Sequence, residues 1–177
     1  LGELKVMIDL RSDTVTKPSK EMRKAMLNAE VGDDVYQEDP TVNELQEYAA
    51  DLLGKESALF VSSGVMGNQI CLNVHTKPGD EVICEADAHI FQYESGSPAV
   101  LSGLQLYPVK GNNGIIDPES VRPLVRPVSA YYMPRSKVLE IENTHNRAGG
   151  TIYSMDQIQK LKNIADEYNL KFHLDGA

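Results

Sequence analysis

The sequence is poor in cysteine: its 177 residues include only Cys71 and Cys84, and no Cys-x-x-Cys pair. Cys71 falls in a helical pattern, whereas Cys84 falls in a run typical of a strand. Isolated cysteines of this kind favour two reduced, buried thiols over a disulfide or a metal site. We therefore predict that the chain has no metal centre.

Long hydrophobic runs and excess basic charge are also missing. No apolar run approaches the roughly 18 residues that span a bilayer, and the opening LGELKVMIDL, with acids among its apolar residues, is no signal peptide. The formal charge of -9 argues against nucleic acid or an anionic membrane surface as the main partner. These absences indicate a cytoplasmic protein without a nucleic-acid or membrane partner.

What the sequence does have is a regular alternation of helical and strand patterns. The helices carry capping signals at Ser19, at Thr41 with Glu44, and at Ser154 with Gln157. Short apolar strands that alternate with helices predict an α/β fold with a mainly parallel sheet and helices on both faces. We expect residues 1–17 to form an N-terminal arm and residues 18–177 to form a large domain. The predicted strands are Ala58–Ser62, Glu81–Cys84, Gln105–Val109, Val138–Glu142 and Lys171–Leu174.

The residues that follow the strands are the strongest candidates for a binding site, because ligands of parallel sheets bind beyond the carboxyl ends of the strands. After the first strand, a turn of small residues enters a helix at Gly64. Its free backbone N–H groups suit a phosphate, although a plain turn explains the residues equally well. His89 follows the second strand, where it could be a base, a ligand, a flat ring for stacking or an ordinary surface residue.

Two further candidates follow later strands. The segment from Glu142 to Asn146 is dense in hydrogen-bonding groups, and it reads equally as a site or as a turn. Asp175 ends the last strand, where a carboxylate needs a partner such as a cation or a protonated ring nitrogen. A phosphate site, a stacking ring and a carboxylate for a ring nitrogen together describe pyridoxal 5'-phosphate.

Several longer motifs give the chain a family resemblance from about Met7 to its last residue. These motifs are Asp9-Leu-Arg-Ser-Asp-Thr-Val-Thr16, Gly32-Asp-Asp-Val-Tyr36, Glu38-Asp-Pro-Thr41, Gly64-Val-Met-Gly-Asn68, Ala88-His89, Glu142-Asn-Thr-His-Asn146 and His173-Leu-Asp-Gly-Ala177. On them the sequence resembles the low-specificity and allo-specific threonine aldolases, within the aspartate-aminotransferase-like pyridoxal phosphate enzymes of fold type I.

The resemblance implies pyridoxal 5'-phosphate as the cofactor and assigns it a binding site. The backbone of Gly64 and Val65 would hold the cofactor phosphate. His89 would stack on the pyridine ring and serve as, or assist, the catalytic base. Asp175 would pair with the ring nitrogen.

The resemblance also implies an activity, a substrate and an assembly. The intact enzyme would be an aldehyde-lyase that cleaves threonine or allo-threonine to glycine and acetaldehyde. Ser12 would reach the substrate carboxylate, and Tyr36 would approach the active site of a neighbouring subunit. The family is usually a homo-oligomer, either a dimer or a tetramer.

The chain departs from the family pattern at several positions. Val65 stands where a threonine is usual, Tyr132 where a histidine often faces the substrate, and Gln37 where a glycine is usual. In the family the Schiff-base lysine follows the aspartate, whereas every lysine here precedes Asp175. We therefore expect an incomplete, truncated large domain that is inactive alone. The alternatives are another fold-type-I pyridoxal phosphate lyase or transferase, and a non-catalytic fragment or partner subunit.

Overall fold

The structure is a computed structural model that describes residues 8–176. The chain forms two compact units, Leu1–Ser62 and Ser63–Ala177. Part of the predicted arm, residues 1–7, lies outside the described residues, and the division at residue 17 stays a prediction. No helix within residues 8–176 is long and apolar enough to cross a membrane.

The first unit is built from two α-helices, α1 (Lys20–Asn28) and α2 (Pro40–Leu53), with 3-10 turns at Asp13–Val15 and Asp34–Tyr36. Ser19 caps α1 as predicted, because its side chain accepts the N–H of Met22. The predicted capping box at Thr41 is wrong. Asp39 caps α2 instead, and the Thr41 hydroxyl donates to the Glu30 carbonyl across 2.6 Å.

The predicted strand at Ala58–Ser62 is also wrong in this structure. The segment has no strand pairing, and the side chains of Leu59 and Phe60 are 68% and 55% exposed. Its backbone is tied by a hydrogen bond from the Phe60 N–H to the Gln46 side chain, at 2.9 Å. A strand forms only when another backbone pairs with it, and no backbone among residues 8–176 does so here.

The second unit contains a four-stranded sheet in the order β2-β1-β3-β4, and every neighbouring pair is parallel. The four remaining predicted strands are all confirmed, with ends extended by up to three residues. Their observed bounds are β1 (Asp80–Glu85), β2 (Gln105–Val109), β3 (Arg135–Glu142) and β4 (Lys171–Asp175).

Helices cover both faces of this sheet, which confirms the predicted α/β fold. The longest are α3 (Gly64–His75) and α7 (Met155–Glu167), and the predicted capping box of Ser154 and Gln157 starts α7. Three shorter helices complete the unit: α4 (His89–Gln92), α5 (Ser97–Ser102) and α6 (Pro118–Val121).

Each face of the sheet has its own apolar core. On one face, Leu139 and Ile141 of β3 pack with Leu161, Ile164 and other residues of α7. On the other face, Val138 packs with Val82 and Leu72. Successive strand residues point to opposite faces, so Glu140 and Glu142 share the second face with Val138. Both carboxylates are buried there.

The two cysteines are free, as predicted. Cys84 is buried in β1, and burial beside Glu140 and Glu85 raises the pKa of its thiol well above the usual value. Cys71 is only half-buried, so the expectation that both thiols are buried is wrong for this residue.

Candidate active site

The amino end of α3 offers free backbone donors, as the sequence predicts. The Ser63 side chain accepts the Met66 N–H at 3.2 Å and so caps the helix. Among the hydrogen bonds within residues 8–176, none uses the N–H of Gly64 or Val65. A Cβ at Gly64 would meet no atom within 4 Å. Two free donors at the positive end of a helix dipole suit an anion.

His89 begins α4, four residues after the end of β1. Its backbone N–H donates to the Glu142 carboxylate at 2.6 Å, and its Nδ1 lies 3.1 Å from Oε1 of Glu94. The imidazole side chain is 36% exposed. Nδ1 is thus held by the Glu94 carboxylate, while the ring itself stays accessible to a ligand.

Asp175 ends β4, directly opposite Glu142 of β3 in the strand register. Its Oδ2 accepts a hydrogen bond from the Asn68 amide at 2.9 Å. Asn68 lies about one helical turn inside α3 from Gly64. This contact therefore places the Asp175 carboxylate close to the amino end of α3.

Asn68 also joins the remaining parts of the site. Its Nδ2 donates to Glu94 at 2.8 Å as well as to Asp175, and its Oδ1 lies 2.9 Å from Nε2 of His173. Because two carboxylates require the donor side of the amide, the orientation of Asn68 is fixed by its partners. Burial lowers the pKa of His173, so a neutral His173 donates its Nε2–H to Asn68.

The structure thus brings together the predicted cofactor positions at the carboxyl edge of the sheet, namely Gly64 and Val65 at the helix end, His89 and Asp175. Their chemical roles stay predictions. Ser12 and Tyr36 belong to the first unit, where Ser12 caps a 3-10 turn and Tyr36 is exposed. Their substrate roles stay predictions as well.

Sequence reasoning missed Glu94 and left Asn68 without a role. Glu94 is buried although Tyr93 and Ser95 beside it are exposed, so no local pattern announces it. Asn68 could have been found, because residues four apart on a helix share a face and Gly64 was already a candidate. Its partners, however, are distant in sequence and depend on the fold.

Within the segment from Glu142 to Asn146, His145 has a structural role, and the choice between a site and a turn for the whole segment stays open. His145 is fully buried; its Nδ1 accepts the Ala148 N–H at 3.3 Å, and its Nε2 lies 3.2 Å from the Glu85 carboxylate. The acceptor role of Nδ1 makes Nε2 the donor. His145 therefore binds the loop to β1 and offers no nitrogen to a ligand.

A metal ion is the other ligand to consider for this cluster of side chains. Ligand atoms of His89, Glu94 and Asp175 lie within 4.8 Å of one another. However, the Asn68 amide already donates to both carboxylates, and the positive end of an N–H dipole opposes a cation at the same place. The arrangement suits a hydrogen-bonded network better than a metal centre.

Comparison with solved structures defines the class of the fold. The chain is similar to the threonine aldolase of Leishmania major, with a TM-score of 0.73 and 20% identity over 87% of this chain and 44% of that one. The fold is that of the large domain of fold-type-I pyridoxal phosphate enzymes, as the sequence resemblance predicts.

Sequence comparison gives the family. The family model described as Beta-eliminating lyase matches residues 9–177, and the chain belongs to this family. It is 43% identical over 173 residues to low-specificity L-threonine aldolase 1 of Arabidopsis thaliana, across 96% of this chain and 48% of that protein. It is 42% identical over 172 residues to the low specificity L-threonine aldolase of Escherichia coli K12, across 97% and 50%. The predicted resemblance is confirmed, and the chain spans about half the length of these relatives.

Proposed function

We propose that the whole protein is a pyridoxal 5'-phosphate-dependent aldehyde-lyase that cleaves threonine or allo-threonine to glycine and acetaldehyde. Membership of the Beta-eliminating lyase family supports the reaction class. The names of the relatives from Arabidopsis thaliana and Escherichia coli support the substrate.

The observation that carries this proposal is the position of Asn68. It lies one turn from the free N–H groups of α3 and contacts both Asp175 and Glu94, the partner of His89. The proposed phosphate donors, the accessible His89 ring and the Asp175 carboxylate therefore all lie around Asn68. Pyridoxal 5'-phosphate carries a phosphate, a flat ring and a basic ring nitrogen, so these residues fit the cofactor.

Four residues of the chain would hold the cofactor. The N–H groups of Gly64 and Val65 would bind the phosphate, as a helix amino end does. The His89 ring would lie against the pyridine ring, and Asp175 would bind the ring nitrogen. When bound, the cofactor supplies an electron sink for the negative charge that develops on the substrate's α-carbon.

The residues of the chain would then perform two tasks. The Asp175 carboxylate, held by Asn68, favours a proton on the ring nitrogen, because an opposite charge stabilises the protonated form. His89 takes the proton of the substrate's β-hydroxyl group, directly or through a water molecule. Its Nε2 is available for this role, since Nδ1 is committed to Glu94.

Substrate binding, assembly and location complete the proposal. Ser12 would bind the substrate carboxylate, and Tyr36 would reach the site of a neighbouring subunit in a dimer or tetramer. The negative charge of the chain is compatible with a cytoplasmic location. Light scattering after size-exclusion chromatography of the whole protein measures the assembly, and a monomer would contradict the role of Tyr36.

The decisive experiment supplies the whole protein with pyridoxal 5'-phosphate and threonine and measures acetaldehyde and glycine. We expect both products in equal amounts, at rates far above those of free pyridoxal 5'-phosphate. The Asp175→Ala variant serves as the control and should lose the activity. No acetaldehyde from either threonine or allo-threonine would overturn the proposal.

The family description supports a second candidate, β-elimination from an amino acid with a leaving group on its β-carbon. This reaction breaks the bond from the β-carbon to its substituent rather than the bond between the α- and β-carbons. It releases the β-substituent and, after hydrolysis by water, a keto acid and ammonia, instead of glycine and an aldehyde. Assays of serine and threonine for both product pairs separate the two candidates.

A further inference from the structure

We propose that Glu94 is a positioning residue that fixes His89 in the tautomer protonated on Nδ1 and so leaves Nε2 free to accept a proton. This inference deepens the proposed function and rests on it for the role of His89 as a base. The tautomer itself is a property of the protein that is measured without any substrate.

Glu94 has the surroundings of an ionised acceptor. Its side chain is buried, with 2% of the residue exposed, and amide nitrogens approach both of its oxygens. Asn68 donates to Oε1 at 2.8 Å, and Gln69 donates to Oε2 at 2.6 Å. Amide nitrogens only donate, so both oxygens of Glu94 act as acceptors here, and a carboxylate has acceptor oxygens only.

The same oxygen faces His89. Oε1 of Glu94 lies 3.1 Å from the Nδ1 atom of His89, and an accepting carboxylate requires a proton on that nitrogen. In a neutral imidazole the other nitrogen then carries a lone pair, because the partner of one ring nitrogen sets the state of the other. Glu94 therefore determines which nitrogen of His89 acts as the base.

The position of Glu94 is itself held firmly. Its backbone carbonyl accepts both the N–H and the hydroxyl group of Ser97, at 2.8 Å and 2.5 Å. Through Asn68, the carboxylate is also linked to Asp175. The base and the carboxylate for the ring nitrogen are thus held in one hydrogen-bonded unit, which fixes the distance between them.

Gln69 makes a conservative test possible. Its Oε1 is buried and has no hydrogen-bond partner within residues 8–176. In Glu94→Gln, rotation of the Gln69 amide would present this oxygen to the new side-chain amide. The new carbonyl would still accept from Asn68 and His89. We therefore expect Glu94→Gln to fold and to retain the tautomer, whereas Glu94→Ala removes the acceptor.

The experiment uses the whole protein labelled with 15N-histidine, without substrate, and long-range proton–nitrogen NMR spectra. The loss of one signal in His89→Asn assigns His89. We expect a protonated Nδ1 in the wild type and in Glu94→Gln, and a shift towards a protonated Nε2 in Glu94→Ala. A wild-type His89 protonated on Nε2, or an unchanged tautomer in Glu94→Ala, would overturn the proposal.

Turnover of threonine gives the second readout. For Glu94→Ala we expect kcat to fall about 100-fold, the lower end for loss of a general base, with a KM near that of the wild type. Glu94→Gln should lose less than about 10-fold. Equal losses in the two variants, or full activity in Glu94→Ala, would contradict the proposed role. If the wild type does not cleave threonine, the proposed function fails, and the tautomer still decides the role of Glu94.

Glu81 provides the matched control. It is also a buried carboxylate, but it lies at the opposite end of β1, where Arg126 and Gln105 bind it. Glu81→Ala should lower the stability of the protein and leave the His89 tautomer unchanged. A changed tautomer in Glu81→Ala would show that the His89 tautomer responds to any loss of stability rather than to Glu94. This result would contradict the proposal.

Discussion

The Glu142 carboxylate accepts a hydrogen bond from the backbone N–H of His89, with 2.6 Å between the two atoms. Its other oxygen accepts the Asn146 N–H at 2.8 Å. Glu142 therefore ties the segment after β1 to the loop after β3. Part of the framework that holds His89 comes from a residue 53 positions away in the sequence.

The first prediction concerns this link. Glu142→Gln should lower the free energy of unfolding by about 1–3 kcal/mol, because a side-chain amide presents a donor to one of the two backbone N–H donors that the carboxylate accepts. Equilibrium urea unfolding of the whole protein measures the loss. Glu119→Gln is the control, since Glu119 is exposed, and it should change the stability by less than about 0.5 kcal/mol. Similar losses in both variants would show that the link is unimportant.

The second prediction concerns the pH dependence of stability. Glu140 is fully buried, and neither of its carboxyl oxygens has a hydrogen-bond partner within residues 8–176. Burial, and then the neighbouring carboxylates Asp175, Glu142, Glu94 and Glu85, raise the pKa of Glu140 well above its ordinary value. The folded protein therefore keeps this proton at a pH where the unfolded chain has lost it.

The sign of the effect follows from linkage. Below about pH 4.3 both states carry the proton. As the pH rises above this value only the unfolded chain releases it, so Glu140 lowers the stability by up to about 1.4 kcal/mol per pH unit. Glu140→Gln removes this loss. The stability of the variant minus that of the wild type should therefore increase from pH 5 to pH 7 in urea unfolding, and a constant difference would contradict the prediction.

The third prediction concerns the close contact between Gly114 and the His145 ring. Gly114 has a φ of +78°, and a Cβ there would lie 2.5 Å from the His145 ring. Gly149 has a similar φ of +82° but no atom within 4 Å of the added Cβ. Gly149→Ala should cost about 1–2 kcal/mol for its backbone alone. Gly114→Ala should cost about 1–3 kcal/mol more, because of the overlap. Equal melting temperatures of the two variants would disprove the contact.

The fourth prediction compares two residues of the proposed site. Asp175→Asn should reduce kcat/KM for threonine more than His89→Asn does, because an amide cannot favour a protonated ring nitrogen as a carboxylate does. The loss in His89→Asn should be about 10²–10⁴-fold, since water can replace a general base in part. Steady-state kinetics with saturating cofactor measure both. Equal or reversed losses would count against these assignments.

The fifth prediction concerns Val65, which stands where the family usually has threonine. Val65→Thr adds a hydroxyl group at the amino end of α3, beside the proposed phosphate position. One additional hydrogen bond is worth about 0.5–1.5 kcal/mol, so the Kd for pyridoxal 5'-phosphate should fall by roughly 2- to 10-fold. Absorbance titration measures it. The control Val74→Thr lies in the last turn of the same helix and should leave the Kd unchanged; an equal change in both would contradict the prediction.

The sequence alone was sufficient where the information is local. Four of the five predicted strands form, because apolar residues with strand propensity and turn residues at the ends act over a few positions. The cap of Ser19 on α1 and the capping box of α7 were predicted for the same reason. Gly64, His89 and Asp175 were singled out because they match family motifs and follow predicted strands. In the structure they lie at the carboxyl edge of the sheet.

The tertiary structure decided what depends on partners distant in the chain. Ala58–Ser62 has the composition of a strand, but no backbone in the described part of the chain pairs with it. Asn68 meets Glu94 and Asp175 across 26 and 107 positions, so sequence spacing gives no sign of either contact. The burial of Glu94 is likewise invisible in its neighbours, which are exposed. A carboxylate takes its state from the donors and charges around it, and the fold alone brings these together.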